Sequence, residues 1–356
     1  MPGASKREPK GAPLSPGLRR EGATKERTSD EGGGRGPERA EASAGGWSAE
    51  MASLTIDSMG ELTTGFVGLG NMGWPMAANL HAAGFPLLVR DADADRQRAF
   101  CAAHPGAVAA GEPGAFAAAS VVVTMLPDGG IVADALLNWG IAAALASGAL
   151  VIEMSSADPA DTRKTAAGLA ARGVRMVDAP VSGGVPRAVT GELSLMVGGD
   201  DADVADAQPV LRVLGDPARQ FRTGALGTGH AMKALNNVVG AATYCATAEA
   251  VVAGARFGLD PATMIDIINA STGRSFVSEN VFGANVLNGA YATGFMLGLM
   301  AKDVRIAQSV IRAAAADAPV LALTDERWAA ALRDLGPAAD QSKAHQSWWG
   351  DRLNGE

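Results

Sequence analysis

Residues 65–80 read GFVGLGNMGWPMAANL, with three glycines, Gly68, Gly70 and Gly73, between a short apolar run and an Ala-rich segment. In this spacing the first glycine makes a tight turn, the second lets the backbone approach a pyrophosphate, and the third lets a helix pack closely on a strand. The N-terminus of that helix also attracts anionic oxygens. The stretch therefore predicts a dinucleotide site lined by these glycines, Asn71 and Met72, although the same spacing also occurs in ligand-free strand-turn-helix units.

The chain after residue 64 alternates apolar runs with Ala-rich helical stretches. We expect strands at 66–69, 87–89, 121–125, 150–153 and 174–177, with a further strand at 193–198 that closes the sheet. Such alternation is typical of a parallel sheet covered by helices, and here it predicts a Rossmann-type, doubly wound α/β domain over 61–225.

A different pattern begins at residue 229, where a proline-free, largely apolar helical stretch runs to residue 257. Its length suits a long interdomain helix, and its nearly all-round apolar character suggests burial by a second subunit as well. Further helical segments follow. We therefore expect an all-helical domain over 226–350 that binds substrate and forms a homodimer or homotetramer.

Residues 1–50 are rich in Gly, Pro, Ser, Glu, Arg and Lys and have hardly any large apolar side chains. Such a segment buries too little surface to offset the entropy of ordering, so we expect a disordered leader over 1–60. Met51 and Met59 stand shortly before the first strand, and either suits a natural start. The alternative is that the leader is an interaction tail.

Composition limits the classes of partner. The net charge of −8 gives no reason to expect nucleic acid or an anionic membrane surface as a partner. The two cysteines, Cys101 and Cys245, are far apart and lack metal-ligand spacing, so we expect neither a disulfide framework nor a metal site. We find no signal peptide pattern and predict no membrane span, which fits a cytoplasmic protein.

An acidic cluster follows the second expected strand. Asp91 stands about 20 residues after the glycine motif, where an acidic side chain receives the ribose hydroxyls of NAD. This cluster would repel the 2′-phosphate of NADP, whereas Arg90 or Arg96 offers that phosphate a partner, so we favour NAD and keep NADP open. The alternative is that Asp91 and Asp93 cap the next helix; this does not exclude cofactor binding, and for Asp93 it is at least as good an interpretation.

The ends of the next two strands carry further candidates. Leu126 and Pro127 close the strand at 121–125, and in open α/β sheets the carboxyl ends of strands border the ligand crevice. Their backbone is expected beside the nicotinamide ribose. Ser155 and Ser156 occupy a similar place after 150–153 and are either ligand contacts or the N-cap of the helix that begins near Pro159.

Residues 178–191 read DAPVSGGVPRAVTG. Here Ser182, Gly183 and Gly184 offer a hydroxyl and closely spaced backbone donors that can enclose a carboxylate. The alternative interpretation is a plain Gly-rich turn.

Residues 227–237 read GTGHAMKALNN, which places Lys233 and Asn237 on one helical face. Such a pair usually faces solvent, but these two polar groups stand among Ala, Leu and Val, where burial is costly unless they serve a ligand. We expect His230, at the start of the helix, to be exposed or capping rather than catalytic. Lys302, beside Asp303, either reaches a crevice or faces solvent.

Taken together, these motifs resemble the β-hydroxyacid dehydrogenase family, typified by 3-hydroxyisobutyrate dehydrogenase. The resemblance runs from about residue 65 to at least 306 and rests on four segments in the family's order: GLGNMGWPMAANL, DAPVSGGVPRAVTGEL, GTGHAMKALNN and KDV at 302–304. It implies that Lys233 relays the proton of a substrate hydroxyl, that Asn237 and the turn at 182–184 bind the substrate carboxylate, and that Lys302 lies beside the cofactor.

The resemblance implies an NAD(P)-dependent oxidoreductase that interconverts a small β-hydroxy acid and its semialdehyde or keto form. It leaves a glyoxylate or semialdehyde reductase, an imine reductase-like enzyme and a non-catalytic dinucleotide-binding scaffold as alternatives. Imine reductases typically replace the catalytic lysine, so Lys233 speaks against them, and a pure scaffold has no reason to keep both Lys233 and Asn237. Trp74 and Arg187 are less usual within their motifs.

Overall fold

The computed structural model of the 356-residue chain describes residues 62–350. The predicted leader at 1–60 lies outside the described residues. The strands of the described part form one sheet: β1 Thr64–Val67, β2 Leu87–Arg90, β3 Val108–Ala109, β4 Val121–Thr124, β5 Leu150–Glu153, β6 Arg175–Asp178, β7 Val181–Ser182, β8 Leu193–Gly198 and β9 Gly215–Gly224.

The strand order β3-β2-β1-β4-β5-β6 is the doubly wound order, and all neighbours along it are parallel. β8 then pairs antiparallel with β6 and β7, while β9 pairs parallel with β8. The predicted strand at 193–198 therefore extends the sheet as expected. β3, β7 and β9 were not predicted; the first two have only two residues each, too short for a periodic signal.

Helices cover both faces of the sheet and continue to the end of the described part: α1 Gly73–Ala82, α2 Ala94–Ala103, α3 Gly129–Ala133, α4 Ile141–Ala144, α5 Pro159–Ala170, α6 Gly184–Thr190, α7 Asp201–Leu214, α8 Thr228–Phe257, α9 Pro261–Asn269, α10 Leu297–Ala313, α11 Pro319–Leu335 and α12 Ala344–Trp349. A 3₁₀ segment at Pro113–Ala118 and π-helical segments at Asp134–Asn138 and Ser278–Val286 lie between them.

Successive strand residues supply the two cores that sandwich the sheet. In β4, Val121 and Val123 join one buried cluster, whereas Val122, between them, joins the other. Because successive side chains of a strand point to opposite faces, strands buried on both sides read as continuous apolar runs. This is why such short runs predicted the sheet correctly.

The long helix α8 lies at the centre of a third core. Its buried residues, among them Val238 and Tyr244, pack with Phe282 and the fully buried Trp328. By length and composition α8 is apolar enough to cross a membrane, but core helices pass the same test. The predicted division between 225 and 226 falls between β9 and α8 and stays a prediction.

Candidate functional site

The turn between β1 and α1 has the shape that a close ligand approach needs. Gly68 has a φ of +100°, and a Cβ there would lie 2.2 Å from the carbonyl oxygen of Met125. A Cβ on Gly73 would lie 1.9 Å from the carbonyl oxygen of Gly68. At Gly70, in contrast, the Cβ position has no neighbour within 4 Å. Folding thus requires the first and third glycines, whereas the space beside Gly70 is open.

The start of α1 adds a backbone N–H donor beside that space. Met72, the N-cap residue, provides no side-chain hydrogen bond, and the first turn of α1 carries no acidic residue. Asn71, beside it, is exposed. The N–H of Trp74 donates to the carbonyl oxygen of Gly70 at 2.9 Å and Pro75 has no N–H, so among the described hydrogen bonds the N–H of Gly73 is the one left without a partner in the first turn. Since such an N–H at a helix start attracts anions, the turn fits a dinucleotide pyrophosphate.

Asp91 lies directly after β2 and is 7% exposed. Its Oδ2 accepts a 2.6 Å hydrogen bond from the N–H of Leu69, and its Oδ1 accepts a 2.8 Å bond from the N–H of Asp93. The Arg96 guanidinium lies 3.4 Å from Oδ1. Asp91 thus ties the end of β2 to the glycine turn, while Asp93 caps α2, which confirms the capping interpretation for Asp93.

Lys302, on α10, reaches the carboxyl ends of two strands. Its Nζ donates hydrogen bonds of 2.8 Å to the carbonyl oxygens of Pro127 and Ser156, which follow β4 and β5. The structure thus brings together three of the predicted cofactor residues, Lys302, Pro127 and Ser156. The side chain of Lys302 reaches the crevice at the strand ends rather than facing solvent. Leu126 is joined to the same region, because its N–H donates to Oγ of Ser155 at 2.9 Å.

The N-cap interpretation of the two serines is wrong. The N-cap of α5 is Asp158, whose side chain accepts a hydrogen bond from the N–H of Ala160. Ser155 is buried and holds the loop after β4, while Ser156 contributes its backbone carbonyl.

Lys233 and Asn237 lie on one face of α8, and Lys302 and Asp303 approach them from α10. Asn237 Nδ2 donates a 2.6 Å hydrogen bond to Oδ2 of Asp303. Asp303 is 2% exposed, and its Oδ1 lies 3.6 Å from Lys302 Nζ without a hydrogen bond. Asp303 thus contacts both Asn237 and Lys302, and Lys233 lies one helical turn before Asn237, so these four side chains form one group.

The ammonium of Lys233 is destabilised by its surroundings. Burial lowers the pKa of Lys233, the carboxylate of Asp303 opposes this shift, and the positive charge of Lys302 reinforces it, with a net lowering. A lysine with a lowered pKa is neutral in a larger fraction of molecules near neutral pH, and the neutral amine accepts a proton. The group is therefore equipped for proton transfer.

The turn at 182–184, predicted to bind a carboxylate, has no described hydrogen bond to the group on α8 and α10. Ser182 ends β7, opposite Ser194 of β8, and Gly183 and Gly184 follow with φ of +136° and +64°. These glycines are exposed and Ser182 is half-buried. Among the described hydrogen bonds none joins this turn to α8, and none links it to Lys233 or Asn237.

His230 corrects an expectation, because it is 1% exposed rather than at the surface. Its Nε2 contacts Oε2 of Glu153, and its Nδ1 lies 3.5 Å from Oδ2 of Asp178. Sequence reasoning missed both carboxylates. The available signal was that Glu153 and Asp178 each end an apolar strand, at the edge where the other candidates meet.

Comparison with known proteins gives two family models that together span the site. Residues 63–229 match the NAD binding domain of 6-phosphogluconate dehydrogenase. Residues 227–348 match the NAD-binding domain of NADP-dependent 3-hydroxyisobutyrate dehydrogenase.

Curated relatives of known name agree with the two family models. A 2-(hydroxymethyl)glutarate dehydrogenase of Eubacterium barkeri is 39% identical over 246 residues, covering 68% of this chain and 80% of its own. The mitochondrial 3-hydroxyisobutyrate dehydrogenase of Homo sapiens is 38% identical over 273 residues, covering 74% of this chain and 80% of its own. The chain belongs to the β-hydroxyacid dehydrogenase family.

A solved structure of the same family has the same fold. The 3-hydroxyisobutyrate dehydrogenase of Mycobacterium tuberculosis, with L-serine, superimposes with a TM-score of 0.73 at 32% identity, over 81% of this chain and 99% of its own. The resemblance inferred from the four motifs is thus confirmed. This β-hydroxyacid dehydrogenase family member is an NAD(P)-dependent enzyme of the 3-hydroxyisobutyrate dehydrogenase type.

Proposed function

We propose that the enzyme interconverts a small β-hydroxy acid and its semialdehyde or keto form, with Lys233 as the proton-transfer residue. The observation that carries this proposal is the group on α8 and α10, where a lysine of lowered pKa shares a face with the Asn237 amide. Lys302 links the same group to the carboxyl ends of β4 and β5. That edge is where ligands bind in open α/β sheets.

In the proposed alcohol oxidation, one set of residues binds the substrate carboxylate and Lys233 accepts the hydroxyl proton. The donors of Ser182, Gly183 and Gly184 hold the substrate carboxylate, together with the second N–H of the Asn237 amide, whose first N–H is fixed on Asp303. The neutral Nζ of Lys233 takes the hydroxyl proton as the carbonyl forms. When bound, the nicotinamide supplies the hydride acceptor. In the reverse direction the Lys233 ammonium returns the proton.

The proposed substrate class follows from the relatives. The names 3-hydroxyisobutyrate and 2-(hydroxymethyl)glutarate both denote carboxylates with a hydroxyl on the β carbon. We assign the same class to this chain because one carboxylate turn and one base suit it. We leave the substituent on the α carbon to the experiment below.

For the cofactor we propose NAD in preference to NADP. The carboxylate of Asp91 lies at the end of β2 beside the glycine turn, where it can receive ribose hydroxyls and repel a 2′-phosphate. Arg96 is already engaged by Asp91 and Asp93. Gly68, Gly70, Asn71, Met72 and Gly73 would hold the pyrophosphate, and Leu126, Pro127, Ser156 and Lys302 would border the nicotinamide end.

We also propose a homodimer or homotetramer formed through the helical part of the chain. Large apolar side chains on and near α8 remain exposed, with Val239 at 60%, Phe257 at 87% and Phe276 at 74%. Exposed apolar groups of this kind are typical of subunit interfaces. Sedimentation velocity of the purified chain tests this, and a monomer at micromolar concentration would contradict it.

We also propose that the protein is located in a reducing compartment such as the cytoplasm. Both cysteines are free thiols, and Cys245 is buried. Fractionation of native cells with an antibody against the chain is the direct test.

The activity itself is tested with a substrate panel. β-Hydroxy acids, their semialdehydes, α-hydroxy acids and a cyclic imine are each supplied with NAD(H) and NADP(H), and the absorbance of the reduced nicotinamide is followed. We expect turnover of at least one β-hydroxy acid, faster with NAD, and none of the imine. Turnover confined to the imine, or none with any compound, would overturn the proposal in favour of a reductase or a scaffold.

A further inference from the structure

Three ionisable side chains are buried together beneath the start of α8. Glu153 is 1%, Asp178 0% and His230 1% exposed. Glu153 ends β5, Asp178 ends β6 and His230 lies in the first turn of α8. Because buried charges are costly unless they are paired and hydrogen-bonded, the partners of each group define what the cluster does.

Asp178 caps α8 from a neighbouring strand. The N-cap residue Gly227 has no side chain to offer, and Oδ1 of Asp178 accepts a 2.7 Å hydrogen bond from its N–H. Oδ2 of Asp178 accepts a 2.8 Å bond from the N–H of His230. A carboxylate at this end satisfies unpaired N–H groups and the helix dipole. It fixes the first turn of α8 on the sheet.

Both ring nitrogens of His230 face oxygen atoms. The hydroxyl of Thr162 donates to the carbonyl oxygen of Asp158 at 3.1 Å and lies 2.9 Å from Nδ1 of His230. A hydroxyl has one proton, so a Thr162 hydroxyl that donates to Asp158 accepts from Nδ1 of His230. Nε2 of His230 contacts Oε2 of Glu153. His230 thus lies between two carboxylates, which favour its imidazolium form.

The directions of the pKa shifts agree with this arrangement. Burial alone would lower the pKa of His230, but the charges of Glu153 and Asp178 raise it above the ordinary value. Burial alone would raise the pKa of Glu153, but the charge and hydrogen bond of His230 lower it. Each group thus favours the charged form of the other.

Glu153 connects this cluster to the loop that receives Lys302. Its Oε1 accepts a 2.9 Å hydrogen bond from the N–H of Ser155, and the next residue, Ser156, accepts from Lys302 Nζ. Its Oε2 holds His230, and Lys233 follows His230 by about one helical turn. One carboxylate therefore links the positions of both lysines.

We propose that His230 is a positioning residue, which fixes Lys233 on α8 relative to the 155–156 loop and Lys302. This proposal rests on the proposed function, in which Lys233 is the proton-transfer residue. It does not place His230 in contact with the substrate. A small displacement of a catalytic group costs about 100-fold in rate, so a loosened helix start affects turnover more than ligand binding.

The test compares His230→Gln with His345→Gln in the full-length protein. His345 is also fully buried, and its Nδ1 lies 2.9 Å from the Tyr244 hydroxyl, several turns along α8 from the cluster. Thr162→Val, which removes the hydroxyl that faces Nδ1 together with its hydrogen bond to the Asp158 carbonyl, serves as a conservative second variant. We measure kcat, KM and thermal stability, and determine the pKa of Lys233 by NMR of ¹³C-dimethylated lysines.

We expect His230→Gln to lower kcat by about tenfold or more, with KM changed less than about threefold, and to move the Lys233 pKa toward the ordinary lysine value. Thr162→Val should change both in the same direction by less, and His345→Gln should leave both unchanged. A kcat and a Lys233 pKa that match wild type in every folded variant of His230 and Thr162 would overturn the proposal. If wild type turns over no hydroxy acid, the proposed function fails, whereas the NMR comparison still decides the positioning role.

Discussion

The side-chain amide of Asn237, on α8, donates a 2.6 Å hydrogen bond to Oδ2 of the buried Asp303, on α10. This bond fixes the orientation of the amide and leaves its second N–H for a ligand. It also holds the negative charge of Asp303 where it acts on Lys233. The hydrogen bond between Asn237 and Asp303 thus orients the proposed carboxylate-binding amide and places a negative charge near the proposed base, Lys233.

The first prediction concerns the pH dependence of alcohol oxidation. The rate should rise with pH as Lys233 loses its proton, with a midpoint below the ordinary lysine value of 10.5, because burial lowers the Lys233 pKa. Asp303 raises that pKa, so Asp303→Asn should move the midpoint to lower pH. The measurement is the pH profile of kcat/KM.

Asp317→Asn, at an exposed position before α11, is the matched control for this experiment and should leave the midpoint in place. A shift to higher pH in Asp303→Asn would contradict the assignment of Lys233 as the titrating base.

The second prediction separates cofactor binding from folding. Because a Cβ at Gly70 meets no protein atom within 4 Å, Gly70→Ala should keep the melting temperature of wild type. It should raise the Kd for NAD by about tenfold or more, since the added methyl occupies the space that the pyrophosphate needs. Gly111→Ala, at another open glycine, should change neither quantity. Unchanged NAD affinity in Gly70→Ala, measured by calorimetry, would remove the pyrophosphate from this turn.

The third prediction concerns the choice between NAD and NADP. Asp91→Asn removes the negative charge at the end of β2 but keeps an acceptor for the Leu69 N–H. The ratio of Kd for NADP to Kd for NAD should fall by about tenfold, because the repulsion of the 2′-phosphate is lost. Asp95→Asn, at an exposed position in α2, is the control. A ratio that stays constant would show that Asp91 does not discriminate between the cofactors.

The fourth prediction concerns the stability of the buried cluster. Glu153→Gln leaves the His230 imidazolium without its carboxylate and should destabilise the fold by about 3 kcal/mol or more, measured by urea unfolding. The lowered Glu153 pKa stabilises the fold above the ordinary glutamate value of 4.5, and this contribution is lost as the pH falls. The raised His230 pKa stabilises it below the ordinary histidine value of 6.5, and this contribution is lost as the pH rises through the folded value.

The deficit of Glu153→Gln should therefore be largest between those two pH values. Asp161→Asn, exposed on α5, is the control and should cost little at any pH. A deficit that does not vary with pH would mean that the pair is not ionised.

Much of the fold was predictable because strands buried on both faces are continuous apolar runs. The runs at 87–89, 121–125 and 150–153 each fall on a strand, within about one residue. The glycine turn was predictable because Gly68 and Gly73 are required sterically. The irregular strand β9 was missed, because its sequence, GDPARQFRTG, lacks the alternation that indicates a strand.

The site was predictable where a polar residue stands in an apolar setting, as Lys233 and Asn237 do. It was not predictable where the partner comes from another element. His230 was expected at the surface because a helix start is usually exposed, but Glu153 and Asp178 approach from two strands that are distant in sequence. Only the folded structure shows that pairing.

Proton transfer from a β-hydroxy acid to Lys233 is tested by the initial rate of oxidation of the best β-hydroxy acid at saturating NAD. The rate is measured for wild type, Lys233→Met and Lys164→Met, a control at an exposed lysine of α5. Our account predicts that Lys233→Met lowers kcat by about 100-fold or more while its Kd for NAD changes less than about threefold, and that Lys164→Met matches wild type. A Lys233→Met enzyme with a kcat near that of wild type would contradict it.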